Sequence, residues 1–314
     1  MMILLLLKSR IKNFYEGHYR VVRGCMKALV SFFAIFLVTR RLNYNDILGT
    51  YPALIAVAAL CGVTPDIITA LAVGVVICVE IFHVSALLGG SMVAIFIIYF
   101  LLFGRLGHRQ AFVIFAIPVL SMLHIDCTVP IVSALFMSLG LLPSILMGIL
   151  LQYILQGITE YSVLEQTSTQ SDITSSLHYL IDGLRSNKMM AVTMVAFLLT
   201  FLCVYLVRKR QIKNAPQIAI IVGAIVMMSV ELLCNILMDL QIGTGLLALQ
   251  VVISAAIAYI IQFFHLTLDY HGTKKLQFED DEYYYYVTAV PKFKVTVVDR
   301  TVTRILSERK EGKE

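Results

Sequence analysis

Tryptophan is absent and charge is scarce. Only 14% of the 314 residues are Asp, Glu, Lys or Arg, against about 25% in an ordinary soluble domain. With 59% apolar residues and a mean hydropathy of +0.85, the chain has too much hydrocarbon for a water-soluble fold of this length to hide. Consecutive uncharged stretches with short charged punctuation need a solvent that is itself apolar, so the expected partner is the lipid bilayer. Without Trp, the 15 tyrosines have to supply much of any interfacial aromatic belt.

Paired cysteines are also missing. Cys25, Cys61, Cys78, Cys127, Cys203 and Cys234 lie in or beside apolar runs with no CxxC spacing. They read as small buried thiols rather than a disulfide or zinc framework. The order of a secretory signal is absent too, because the apolar run Met1 to Leu7 precedes Lys8, Arg10, Lys12, Arg20 and Arg23 instead of following them. Residues 1–25 are expected as a basic lead-in on the cytoplasmic membrane surface.

No phosphate-cradling Walker sequence, dinucleotide glycine fingerprint, His-Glu-x-x-His or Gly-x-Ser-x-Gly occurs. No enzymatic activity and no cofactor are therefore expected. Glu80, His83, His124, Asp126 and Cys127 have the side chains of transition-metal ligands, but their spacing matches no established motif. Interfacial hydrogen bonding is the expected role, and no metal. The formal charge of +5 does not point to nucleic acid, since the Lys and Arg residues sit between apolar runs and read as topology signals.

What is present is a series of apolar segments, near 26–42, 51–63, 66–84, 89–104, 110–124, 129–142, 143–157, 189–207, 217–238 and 243–264. The expected fold is an all-α polytopic membrane protein with about ten transmembrane or re-entrant helices and an internal duplication. The membrane domain covers 26–264 and a small mixed or partly disordered tail covers 265–314. Several segments fall short of the roughly 20 residues a spanning helix needs, so some are expected to be half-helices.

Basic residues set the orientation. Ten crossings place the N-terminal cluster, Arg105 to Arg109, Arg208-Lys209-Arg210 with Lys213, and the tail all in the cytoplasm of a multi-pass cell-membrane protein. Arg40-Arg41 disagrees, landing outside. The segment between Gly157 and Lys188 also lands outside, and Leu177, Leu180, Ile181 and Leu184 recur there at helical spacing. They predict a short amphipathic helix, lying on the interface or packed on the bundle.

The duplication rests on Pro52, Ala56, Gly62, Pro65 and Ile67, which align without gaps on Pro130, Ala134, Gly140, Pro143 and Ile145. Only seven prolines exist and four take part. In each copy a short helix ends near a glycine and another begins with proline, which suits a first turn because its missing N–H has no helical partner there anyway. Backbone freed at membrane depth is tolerated only when buried in protein or lining a polar cavity, and paired breaks point to a transport site. Gly62, Thr64, Pro65, Asp66, Gly140, Pro143 and Ser144 are the candidate solute or ion site. The alternative is simple capping, with Thr64 as N-cap and Asp66 at the positive helix end.

Glu231, Asn235 and Asp239 stand four apart on one helix face. Glu231 is the candidate for proton coupling or cation binding, because an ionisable group inside an apolar span faces a cavity or partner. Asn235 joins it as a site candidate. In the tail, Phe278, Glu279, Asp280, Asp281, Glu282, Tyr283, Tyr284, Tyr285 and Tyr286 set acids against tyrosines, a candidate surface for a cytoplasmic protein. Beyond Pro291, Phe293 to Val297 alternates like a strand. The favoured expectation is a permease-like protein. The rival is a non-transporting scaffold whose tail recruits a partner, and an intramembrane enzyme comes third.

Overall fold

A computed structural model describes residues 18–42, 44, 49–103, 108–167, 173–210, 214–238, 243–265, 274–279 and 284–289. Residues 18–266 make one compact unit, in which the described residues form helices. In chain order these are α1 (Tyr19–Leu42), α2 (Tyr51–Val63), α3 (Asp66–Val84), α4 (Ala86–Phe103), α5 (His108–Ser121), α6 (Thr128–Phe136), a 3-10 turn (Leu139–Leu141), α7 (Leu142–Thr167), α8 (Ile173–Ser186), α9 (Lys188–Lys209), α10 (Ala215–Met238) and α11 (Thr244–His265).

Five of them, α1, α7, α9, α10 and α11, are long and apolar enough to cross a membrane, while α2 to α5 are apolar but shorter. Their surfaces confirm the apolar setting: Leu101 is 78% exposed, Leu60 66% and Ile225 62%, a pattern that water would penalise and lipid does not. Each expected apolar segment is helical, but 129–142 is divided. Helix α6 stops at Phe136, Met137 and Ser138 are extended, and the 3-10 turn follows. At nine residues, α6 is only about 13 Å long, too short to cross by itself.

The interior consists of two apolar cores that share a wall. One gathers Ile35, Leu54, Ile77, Leu88 and Phe96 from α1 to α4. The other gathers Ile131, Phe197, Ala219 and Val251 from α6, α9, α10 and α11. Helices α5 and α7 face both ways: Ile114, Leu151 and Ile158 belong to the first core, and Ile117, Ile145 and Ile149 to the second. These two helices cross closely because Gly148 has no side chain. A Cβ there would lie 2.8 Å from Ile117 Cδ1 and 3.0 Å from the Ile114 carbonyl oxygen.

Local chemistry explains the helix boundaries. Pro52 occupies the first turn of α2 and Pro65 the residue before α3, both places where an absent N–H costs nothing. Asn187 separates α8 from α9 by capping, its side chain accepting the Met190 N–H at 3.2 Å. Helix α8 packs on the bundle, with Leu180 buried against Gly157 and Leu184 touching both cores, while Ile181 stays exposed. The side chain of Leu177 lies outside the described residues, as do Arg105 to Gly107, Lys213 and Asp239.

Arg40, whose predicted outer position was discordant, is held by aromatic rings. Its guanidinium lies over Phe36 and Tyr51 and donates to the Tyr51 hydroxyl at 2.8 Å. It joins the end of α1 to the start of α2.

The tail forms a separate unit, within which β1 (Lys274–Glu279) pairs antiparallel with β2 (Tyr284–Ala289). Register sets Leu276 opposite Val287, Phe278 opposite Tyr285 and Glu279 opposite Tyr284. Asp280 to Tyr283 and the alternating run 293–297 lie outside the described residues.

Candidate functional site

The two helix breaks aligned in the sequence share a plan but not a place. In the first copy α2 ends at Val63, and Gly62 lets it approach α1 closely: a Cβ on Gly62 would lie 3.0 Å from both Ala28 Cβ and the Gly24 carbonyl oxygen. Pro65 is exposed, and Lys27 donates to the Thr64 carbonyl at 2.6 Å. The side chain of Asp66 lies outside the described residues. In the second copy Gly140 sits in the 3-10 turn, and Pro143 and Ser144 open α7. Ser144 is fully buried and hydrogen-bonded to the Tyr99 hydroxyl at 2.7 Å, a link between α4 and α7. Here Arg208 of α9 donates to the carbonyls of Ala134 and Met137 at 3.1 and 3.2 Å.

Each break is therefore stabilised by a cation from a neighbouring helix, placed on carbonyls that the helix end leaves without partners. The first break belongs to the α1–α3 side of the bundle and the second to the α6–α9 side. The structure does not bring Gly62, Thr64 and Pro65 together with Gly140, Pro143 and Ser144.

It brings together a different set. The link from α5 to α6 turns sharply, with His124 at a φ of 56°, and buries Asp126 at the head of α6. The Asp126 carboxylate accepts a hydrogen bond from the Gln250 amide of α11. Glu231 of α10 lies close enough for its charge to interact with Asp126. Its Oε2 is inaccessible to water and has no hydrogen-bond partner among the described residues. Among those residues neither carboxyl forms an ion pair, although His124 lies within electrostatic reach of Asp126. Asn235, one turn beyond Glu231, is half-buried.

Depth along the helices is consistent from both sides. Glu231 lies about 24 Å from the start of α10 and Gln250 about 9 Å from the start of α11. The pair thus sits about two-thirds of the way from the end that carries Arg208. Tyr153 of α7, whose hydroxyl bonds the Thr193 hydroxyl of α9 at 2.9 Å, lies within electrostatic reach of both carboxyls. Tyr153 also lines a cavity of about 60 Å³ beneath α8, together with Gln156, Glu160, Tyr179 and Asn187. That volume admits a few water molecules.

The residues considered together as metal-ligand types are dispersed. Glu80 is fully buried in the first core and accepts the Tyr44 N–H at 3.1 Å. His83 is exposed and its ring bonds the Val79 carbonyl. No cluster able to hold a metal occurs among the described residues. Gln250 escaped sequence reasoning altogether, although Gln250 and Ser254 repeat on α11 the four-residue polar spacing that marks Glu231 and Asn235.

These helices fit a multi-pass membrane protein in contact with a lipid bilayer. The chain matches no family model, no curated protein and no solved structure.

Proposed function

We propose that the chain is a permease-like protein that moves a small solute or ion, with Asp126 and Glu231 at the centre of its polar site. The observation that carries this reading is the buried Glu231 Oε2, which has no hydrogen-bond partner among the described residues and belongs to a carboxyl within electrostatic reach of Asp126. A group of that kind is costly within apolar surroundings and is characteristic of solute and ion pathways. Broken helices support it, since α5 and α6 form a hairpin that enters from the side of Arg208 and returns to it, leaving Asp126 at its tip. The small cavity beneath α8 adds support, since Tyr153 lines it and is within electrostatic reach of both carboxyls. In this reading both termini are cytoplasmic, and ten apolar helices alternate in direction around the shared wall.

The test is flux. Purified chain reconstituted in liposomes is surveyed for ion and solute movement under imposed gradients. Glu231→Gln should reduce flux at least tenfold, and unchanged pH-dependent uptake in that variant rules out its role.

A scaffold that recruits a cytoplasmic protein through its tail is the second reading. It is favoured by the β1–β2 hairpin, in which neither strand has another neighbour among the described residues. Strand addition to an open edge is an established mode of recognition. A specific partner captured by the tail, with no flux under any gradient, would select this reading.

A further inference from the structure

The tail hairpin has two faces of opposite character. Residues two apart on a strand share a face, so the register places Leu276 and Phe278 of β1 on one face with Val287 and Tyr285 of β2, and Lys275 and Gln277 on the other with Thr288 and Tyr286. The first set is apolar and the second polar. A two-stranded hairpin in water is marginal at best and gains stability when such an apolar face is packed against another element. The alternating run Phe293 to Val297 has the pattern of a further strand in the same sheet, which would widen that face rather than cover it.

We propose that the apolar face of the hairpin is the seat of the chain's own segment Met1 to Leu7, which lies outside the described residues. The compact unit that holds the hairpin comprises Met1–Gly17 together with Thr267–Glu314. Met1 to Leu7 is apolar at every position, a composition that suits a segment laid across a face better than a strand added at an edge, where alternation is the rule. Extended, seven residues reach about 23 Å, close to the roughly 20 Å of a six-residue strand such as β1. Charge selects the same occupant. Lys8, Arg10 and Lys12 follow the apolar run with no acid before Glu16, while Glu279, Asp280, Asp281 and Glu282 stand at the end of β1 and in its link to β2. Those acids would be repelled by an anionic bilayer surface. The charges also give a direction, with Leu7 toward Phe278 and Met1 toward Lys274. This face is distinct from the strand edges that the scaffold reading uses, and its cover holds whether or not the chain transports.

Cross-linking of the intact chain tests it. With the native cysteines replaced by alanine, Leu6→Cys is combined with Tyr285→Cys and, as a control, with Tyr286→Cys on the opposite face. After copper phenanthroline oxidation in native membranes, tryptic digestion releases peptides 1–8 and 276–292. They should be recovered joined by a disulfide, several-fold more in the first pair than in the control. A second pair, Leu4→Cys with Val287→Cys, guards against a local disturbance at Tyr285 and should link as well. Asp280→Asn, Asp281→Asn and Glu282→Gln together should lower both yields several-fold. Equal yields at Tyr285 and Tyr286 overturn the proposal, as do yields indifferent to those acids. Disulfide-linked dimers alone would give the face to a second copy, and labelling of Met1 to Leu7 by a lipid-soluble photoreagent without cross-linking would give the segment to the bilayer. Either result overturns the proposal, and so does the absence of a link in both pairs.

Discussion

At the scale of the residue, the second core is held by an absence of side chain as much as by its apolar content. Gly223 of α10 has a Cβ position 2.5 Å from Val204 Cγ2, with Ile131 and Thr200 also in range. Val204 is a stiff β-branched side chain at a buried position and cannot swing away. Gly223→Ala should therefore destabilise the bundle by about 1–3 kcal/mol even though alanine is the better helix former. Thermal unfolding in detergent checks it, and an unchanged or higher Tm refutes the packing. Residues such as Gly223 are silent in sequence, because glycine in an apolar helix gives no sign of which neighbour approaches. Glu231 was legible from its charge within an apolar run. Its partnership with Asp126 was not, since the two are distant along the chain and only the fold of α5, α6 and α10 places them together. Gln250 did leave a trace in its spacing to Ser254, which the charged residues overshadowed.

At the scale of the element, the punctuation of the helices was readable because proline and glycine act through local backbone chemistry. Pro52 and Pro65 stand at the helix starts they predicted, and Gly62 and Gly140 stand beside the breaks. The end of α6 at Phe136 was hidden, because Met137, Leu139, Leu141 and Leu142 continue the apolar run through the break and hydrophobicity alone does not separate helix from turn. What stabilises the breaks is a tertiary matter, since the cations from α1 and α9 that bond their carbonyls are connected to them by no local pattern. Those cations make a paired prediction. Lys27→Met removes the donor from the Thr64 carbonyl and should cost about 1.5–3 kcal/mol, the range for hydrogen bonds from charged groups. Arg208→Met removes two bonds to α6, but its exposed guanidinium is compensated by water, so about 1 kcal/mol is expected. Denaturation midpoints of the two variants should fall in that order. A neutral Lys27→Met would show that the α2–α3 break is supported without it.

At the scale of the whole molecule, the all-helical apolar character of residues 26–264 was legible, and which helices are long enough to cross was not. Ten segments follow from hydropathy, yet among the described residues five helices are long enough to cross by length and composition, and the short α2 and α4 pack chiefly on α1 and α3. The hydrogen bonds fix relative directions. Arg40 to Tyr51 joins the end of α1 to the start of α2, while Lys27 to Thr64 joins the beginning of α1 to the end of α2, so this pair is antiparallel. Arg208, near the end of α9, meets the end of α6. A cytoplasmic basic end of α9, as the charge pattern predicts, would put α8 and Ser186, which adjoin the cavity at Tyr153, on the opposite face. In a chain whose cysteines are replaced by alanine, Ser186→Cys should react in intact cells with a membrane-impermeant maleimide, and Arg210→Cys should react only after permeabilisation. Both positions are exposed, so silence at either is not a matter of burial within the protein. Labelling in the reverse order inverts the molecule and places the Tyr153 cavity on the cytoplasmic side.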